Sequence, residues 1–128
     1  MEKKPVEVKS LKEGGFVIID DIPCKVTDIS ISKPGKHGSA KAKLTAVGLF
    51  ETAKKIIVKP ADARIDIPVI EKKNGQVISI SDDMIQVMDL DDFSLSDVKK
   101  PDDIELKEGD EILIWKFGAN VMVKGKKN

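Results

Sequence analysis

Lys36 stands between two glycines in the run Ser32-Lys33-Pro34-Gly35-Lys36-His37-Gly38-Ser39-Ala40-Lys41, where residue types and spacing put one lysine on display. Pro34 fixes φ and lacks an N–H, and Gly35 and Gly38 admit backbone conformations that a Cβ would resist, so this segment cannot continue a strand. From Ile29 to Phe50 the chain has no acidic residue, yet it carries Lys33, Lys36, Lys41 and Lys43. No neighbour in sequence can neutralise such a tip, and its natural partner is a polyanion. The same spacing also suits a plain solvated hairpin turn, because loop tips generally favour small and polar residues. A nucleotide-binding P-loop is ruled out: Gly, four residues, then Gly-Lys-Ser/Thr would need glycine where Ser30 stands and a hydroxyl where His37 stands.

Other chemistries find little to work with. Cys24 is the only cysteine and His37 the only histidine, so neither a disulfide nor a Cys- or His-based zinc cluster can be assembled within the chain. Cys24 follows Pro23 in a strand-like stretch and reads as a buried thiol. Asp89, Asp91, Asp92 and Asp97 invite a calcium loop. Counted from Asp89, however, such a loop meets Phe93, Ser94 and Lys100 where it needs an acid or amide, a glycine and a glutamate, so these carboxylates read as a solvated turn. No Ser/His/Asp arrangement can be built around His37 without placing it on a loop tip, and the chain does not read as an enzyme. Lys124 to Lys127 read as a solvated tail, and the aromatics Phe93, Trp115 and Phe117 as core.

The elements that must position Lys36 are strands. With four Phe, one Trp and no Tyr, the core has to come from Ile, Val and Leu, which favours β structure. Branched residues from Ile22 to Ile31 and from Ala40 to Phe50 flank the lysine run, making it the tip of a long hairpin. Further strands are expected around Val6 and Val8 and over 16–19, 56–58 and 64–67, a small barrel's worth. After Pro68 a second set begins: a hairpin turning at Asn74-Gly75, then 84–90, 93–98, 112–117 and 121–124, with a short helical turn near Pro101 to Leu106 started by Asp102-Asp103. Leu11-Lys12-Glu13-Gly14 and Leu106-Lys107-Glu108-Gly109 echo each other, each reading as a turn that feeds a barrel strand through an open glycine. The expected domains are 1–68 and 69–128. Net charge is zero overall but +4 over residues 1–69 and −4 over 70–128, so the two parts would meet different partners. No apolar run reaches the length of a membrane span and Met1 to Pro5 form no apolar signal region, so a soluble cytoplasmic protein is expected.

The string from Ser32 to Lys43, with Asp21-Ile22-Pro23-Cys24 before it and Ala46-Val47-Gly48-Leu49-Phe50 after it, resembles the archaeal and eukaryotic translation factor 5A family, relatives of bacterial elongation factor P. Gly75-Gln76-Val77-Ile78 and Ile85-Gln86-Val87-Met88-Asp89-Leu90 extend the resemblance through the second half. It implies an all-β protein, an N-terminal SH3-like barrel followed by a C-terminal OB-fold barrel. It further implies that Lys36 is the acceptor of a spermidine-derived aminobutyl group, added by deoxyhypusine synthase to give deoxyhypusine or hypusine, with no other cofactor. Lys33, Pro34, Gly35, His37, Gly38, Lys41 and Lys43 would then meet RNA or the modifying enzyme. The implied partners are the ribosome and its peptidyl-site tRNA, not DNA and not a membrane. Pro34 is of the archaeal kind, and the 99–109 region is shorter than the family's helix-bearing insertion. The alternative from the residues alone is a general RNA-binding OB module that acts without modification.

Overall fold

The computed structural model describes residues 1–33 and 40–127 and divides the chain into two compact units, Met1–Val69 and Ile70–Asn128. The run from Pro34 to Ser39, Lys36 included, lies outside the described residues. All of the regular structure described is β apart from one 3-10 turn, Val8–Ser10.

In the first unit, β2 (Phe16–Ile19), β3 (Ile22–Ser32), β4 (Lys41–Gly48) and β5 (Lys54–Pro60) form an antiparallel meander, while β1 (Lys3–Glu7) pairs with β6 (Arg64–Pro68). β6 also lies against β2, bringing the pair up to the meander in an SH3-like barrel. Asp20 and Asp21, at φ 52° and 63°, make the two-residue turn from β2 to β3, a conformation aspartate tolerates better than most side chains. The core is aliphatic: Val8, Leu11, Val17, Ile19, Val26 and Leu44 with Cys24, Ala42 and Ala46. Each fully buried Val or Leu is worth roughly 1.5–3 kcal/mol, so this set can hold a small barrel without an aromatic centre.

The second unit is a five-stranded sheet ordered β11-β10-β7-β8-β9, comprising β7 (Glu71–Ser81), β8 (Met84–Asp89), β9 (Leu95–Lys99), β10 (Glu111–Phe117) and β11 (Asn120–Lys126). β11 returns to β9 and closes the sheet in the strand order of an OB-fold. Val77, Ile85, Val87, Leu106, Ile112 and Ile114 fill it.

Two sequence expectations fail here. Asn74-Gly75 makes no hairpin, because β7 runs unbroken from Glu71 to Ser81. Gly75 pairs with Asp89 on one side and Ile112 on the other, and a Cβ there would stand 3.1 Å from the Met88 carbonyl oxygen and 3.2 Å from Ile114 Cγ2. Its glycine serves close approach of neighbouring strands, the other use of glycine in a sheet. The turn expected near Pro101 to Leu106 is present at 102–103 but starts no helix. Ile104 packs against the core and Leu106 is buried in it, a spacing of two that suits extended backbone rather than a helical face.

The four-residue echo is structural. Gly14 and Gly109 have φ 86° and 90°; Gly14 donates its N–H to Val26 O at 2.8 Å and Gly109 donates to Val77 O at 2.8 Å. In return Val26 N–H donates to Gly15 O and Val77 N–H to Asp110 O, with Leu11 and Leu106 buried alongside. Each turn thus clips itself to the long strand of its own unit and leads into the next strand.

Candidate functional site

The β3–β4 hairpin carries the segment singled out by sequence. Its ladder can be followed from Cys24↔Gly48 to Ser32↔Lys41, and Lys33 and Ala40 are the described residues on either side of the tip. Alternation on β4 sends Ala42, Leu44 and Ala46 into the core and leaves Lys41 and Lys43 on the solvent side, opposite Ser32 and Ser30. On β3 a bulge between Val26 and Asp28 resets the alternation, so that Val26 and Ile29 both reach the core although they are three residues apart. Lys25 therefore shares the outer face with Lys41 and Lys43, and so does Lys54 of β5, which pairs with Val47. Among the described residues none of Lys25, Lys33, Lys41, Lys43 and Lys54 makes an ion pair, and Asp28, opposite Thr45, is the acid that shares their face. Ile56 and Val58, 54% and 60% exposed on edge strand β5, add an apolar stripe beside Lys43 and Thr45.

The foot of the hairpin is fixed by backbone. Ala61 donates its N–H to Ala40 O at 2.9 Å, and Lys9 donates to Ala61 O at 2.9 Å. Lys9, Ile31, Lys33, Ala40, Ala61 and Asp62 line a shallow cleft there. Of the residues expected at the site, Lys33, Lys41 and Lys43 are brought to one end of the hairpin; Pro34, Gly35, Lys36, His37 and Gly38 lie outside the described residues. Lys25 and Lys54 were not anticipated, although the outward position of Lys25 follows from Cys24 and Val26 facing in. Cys24 is fully buried, its Sγ donates to Ile22 O at 3.4 Å, and burial pushes the thiol pKa up, the profile of an inert core cysteine.

In the second unit the acidic run is more than a solvated turn. Asp89 is only 2% exposed; its Oδ1 accepts the Asp91 N–H at 2.8 Å and its Oδ2 accepts from Lys116 Nζ at 2.9 Å. Burial by itself would raise this carboxyl, but the Lys116 hydrogen bond, the Asp91 N–H and the lysine charge together hold it below the usual aspartate range. The Asp89 hydrogen bond correspondingly raises Lys116. Asp91 pairs with Lys73 at 3.0 Å, and Asp92 Oδ1 accepts both the N–H and the hydroxyl of Ser94. Asp89 is thus tied to a lysine rather than arranged around a calcium ion.

The aromatics divide. Phe117 is buried, Trp115 is half-buried with Lys124 and Lys72 ammonium groups 4.5 and 4.9 Å from its ring centre, and Phe93 is 66% exposed, against the expectation of a core residue. The basic end is no loose tail. Lys124 and Lys126 belong to β11, Lys126 pairs with Asp110 at 3.3 Å, and Lys127 donates its backbone N–H to Glu111 O. No helix among the described residues is long and apolar enough to cross a membrane.

Known proteins resemble the chain from end to end. The family model "translation initiation factor 5A-like, N-terminal" matches residues 2–62, and "eukaryotic elongation factor 5A hypusine, DNA-binding OB fold" matches 69–124. Translation initiation factor 5A of Methanocella arvoryzae is 51% identical over 112 residues, covering 86% of this chain and 88% of that protein. Its counterpart in Thermococcus gammatolerans is 42% identical over 129 residues, covering 96% and 95%. The solved structure of eukaryotic translation initiation factor 5A from Methanococcus jannaschii superposes with a TM-score of 0.87 at 38% identity over 98% of each chain. On these grounds the chain belongs to the translation initiation factor 5A family.

Proposed function

We propose that this protein is a ribosome-bound translation factor that acts through a deoxyhypusine or hypusine side chain on Lys36. It would dock beside peptidyl-site tRNA in the cytoplasm and promote peptide-bond formation at stalled, for example proline-rich, sequences. The observation that carries the reading is the outer face of β4: Lys41 and Lys43 stand unpaired among the described residues on the hairpin that holds the Lys36 segment. Such cations suit phosphate docking by counterion release, and Asp28, the acid that shares their face, makes no ion pair with them. The name of the family model that matches 69–124 includes hypusine, which supports Lys36 as the acceptor, since it is the lysine held between Gly35 and Gly38.

Deoxyhypusine synthase would join Lys36 Nζ to the butyl arm of spermidine as the bond to the secondary nitrogen breaks and diaminopropane leaves. The side chain gains reach on the order of 6 Å and a second amine. Gly35, directly before Lys36, and Gly38 contribute no side chain to the segment, which also holds Pro34 and His37. A long dication threads between phosphates where a bulkier loop cannot follow. The factor itself performs no bond chemistry on the ribosome; it orients the aminoacyl end of a poorly reactive peptidyl-tRNA. The rival reading, an unmodified RNA-binding OB module, wants aromatic stacking platforms. Phe117 is buried, lysine ammonium groups approach the Trp115 ring, and the largely exposed Phe93 follows Asp91 and Asp92, which repel phosphate, so these side chains give that reading little support.

Lys36→Arg is the test, because it keeps the charge and cannot accept the aminobutyl group. Intact mass and peptide mapping of protein from its native source should show the adduct on Lys36 alone. Lys36→Arg should fail to relieve stalling on proline-rich messages, and full activity of that variant would sink the reading.

A further inference from the structure

Between Ser81 and Val98 there are six aspartates and no Lys, Arg or His. The β8–β9 hairpin built from this run exposes apolar surface. Val87 and Val98 face the core, which puts Met84, Gln86 and Met88 on the outer side, opposite Lys99, Asp97 and Leu95. Leu95 is 55% exposed, Met84 is exposed too, and Phe93 in the connecting turn is the most exposed of the large apolar residues described. Asp91 and Asp92 directly precede Phe93 in the turn, Asp97 shares the outer side with Leu95, and Lys99 lies at the far end.

Phe93 is also held in place. It sits at φ 61°; the other non-glycine residues described with positive φ are the aspartates 20, 21 and 82. Phe93 donates its N–H to Asp89 O at 2.8 Å, Asp89 donates to Ser94 O at 2.9 Å, and Leu90 donates to Asn74 O at 3.0 Å. An aromatic residue displayed on a rigid turn loses little freedom on docking.

We propose that Phe93 and Leu95, rimmed by Asp91, Asp92 and Asp97, dock a Lys/Arg-rich segment of a ribosomal protein. Charge decides the class of partner. Lys116 also reaches Asp92 at 3.7 Å, but Lys116 and Lys73 are two cations shared among Asp89, Asp91 and Asp92, so together with Asp97 the hairpin keeps excess negative charge, which repels RNA phosphates and attracts a basic polypeptide. An aromatic face beside carboxylates suits a guanidinium or ammonium group and its alkyl stem. Placing that segment on the ribosome rests on the function proposed above.

The test replaces Phe93 with the photoreactive p-benzoylphenylalanine in the full chain and irradiates it with purified archaeal ribosomes. The expected adduct survives ribonuclease, is destroyed by protease, and maps to a Lys/Arg-rich stretch of a ribosomal protein. Asp92→Lys and Asp97→Lys should each lower its yield by about threefold. An adduct on RNA, an adduct on a segment without basic residues, or yields untouched by charge reversal would overturn the proposal. Co-sedimentation separates the two readings: a factor that sediments with ribosomes but gives no protein adduct refutes this inference alone, and one that does not sediment refutes both.

Discussion

The β3–β4 and β8–β9 hairpins are built alike and charged oppositely. Each turns one face to an aliphatic core and the other to solvent, and each carries mainly one sign of charge, with Asp28 of β3 and Lys99 of β9 as the exceptions. They differ in what the charge is tied to. Lys41 and Lys43 have no ionic partner among the described residues, whereas Asp89 and Asp91 are tied to Lys116 of β10 and Lys73 of β7. Charge on the basic hairpin is free for a partner, while part of the charge on the acidic hairpin holds the fold and only the remainder faces outward. Like runs of charge in a sequence can therefore serve interface or architecture, and burial of one member decides which.

The largest effect should come from the buried pair. Lys116→Met strands Asp89 without its cation and should cost the second unit about 3 kcal/mol in urea denaturation, the range for breaking a buried ion pair from one side. The sign of the pH dependence follows from the native shift. Asp89 is lowered below its ordinary value of 3.8, so the stability it contributes is present above that value and is lost as pH falls through its native pKa. In Lys116→Met burial is no longer opposed by the lysine and pushes Asp89 up, so protonation relieves the stranded charge and the stability gap between variant and wild type should narrow as pH falls. A gap that stays constant with pH would mean that Lys116 does not govern Asp89.

That pair also marks where the sequence stops being informative. The all-β class, the aliphatic cores and the two glycine turns follow from composition, alternation and the Leu-Lys-Glu-Gly repeat, because each is dictated by neighbours in the chain. The partners of Asp89 do not: Lys116 is 27 positions away, and only the sheet, in which β8 and β10 flank β7, brings the two together. Asn74-Gly75 misleads for the same reason, since a glycine needed for strand contact and one needed for a turn look identical until β8 and β10 flank it. The bulge after Val26 is likewise silent, and with it the turning of Ile29 to the core and of Ser30 and Ser32 to the lysine face.

A smaller effect, of opposite sign, is expected at the exposed aromatic. Phe93→Asn puts a residue that tolerates φ near 61° where a bulky one is strained, and little burial is lost because Phe93 is largely in solvent. Relief of left-handed strain should stabilise the second unit by about 1 kcal/mol, read as a rise in its melting temperature. The same variant should weaken docking of the basic segment, so that stability and binding move in opposite directions. A fall in stability would show that Phe93 packs in the fold and is not reserved for a partner.

The smallest effect on stability belongs to the basic hairpin, where it should sharpen the contrast most. Lys41→Ala and Lys43→Ala break no ion pair among the described residues and expose no core, so each should change unfolding free energy by less than about 0.5 kcal/mol, as surface substitutions away from special features do. Ribosome association is expected to respond differently. If these lysines contact phosphates, removing one reduces the slope of log affinity against log salt by about 0.7 to 0.9, and the double variant by about twice that. Phe93→Asn contacts no phosphate and should leave the slope unchanged while lowering the affinity. Sedimentation with ribosomes over a salt series separates the two: a slope that moves with the lysines and not with Phe93 assigns RNA to the basic hairpin and protein to the acidic one, and a slope that moves with Phe93 would remove the division of labour between them.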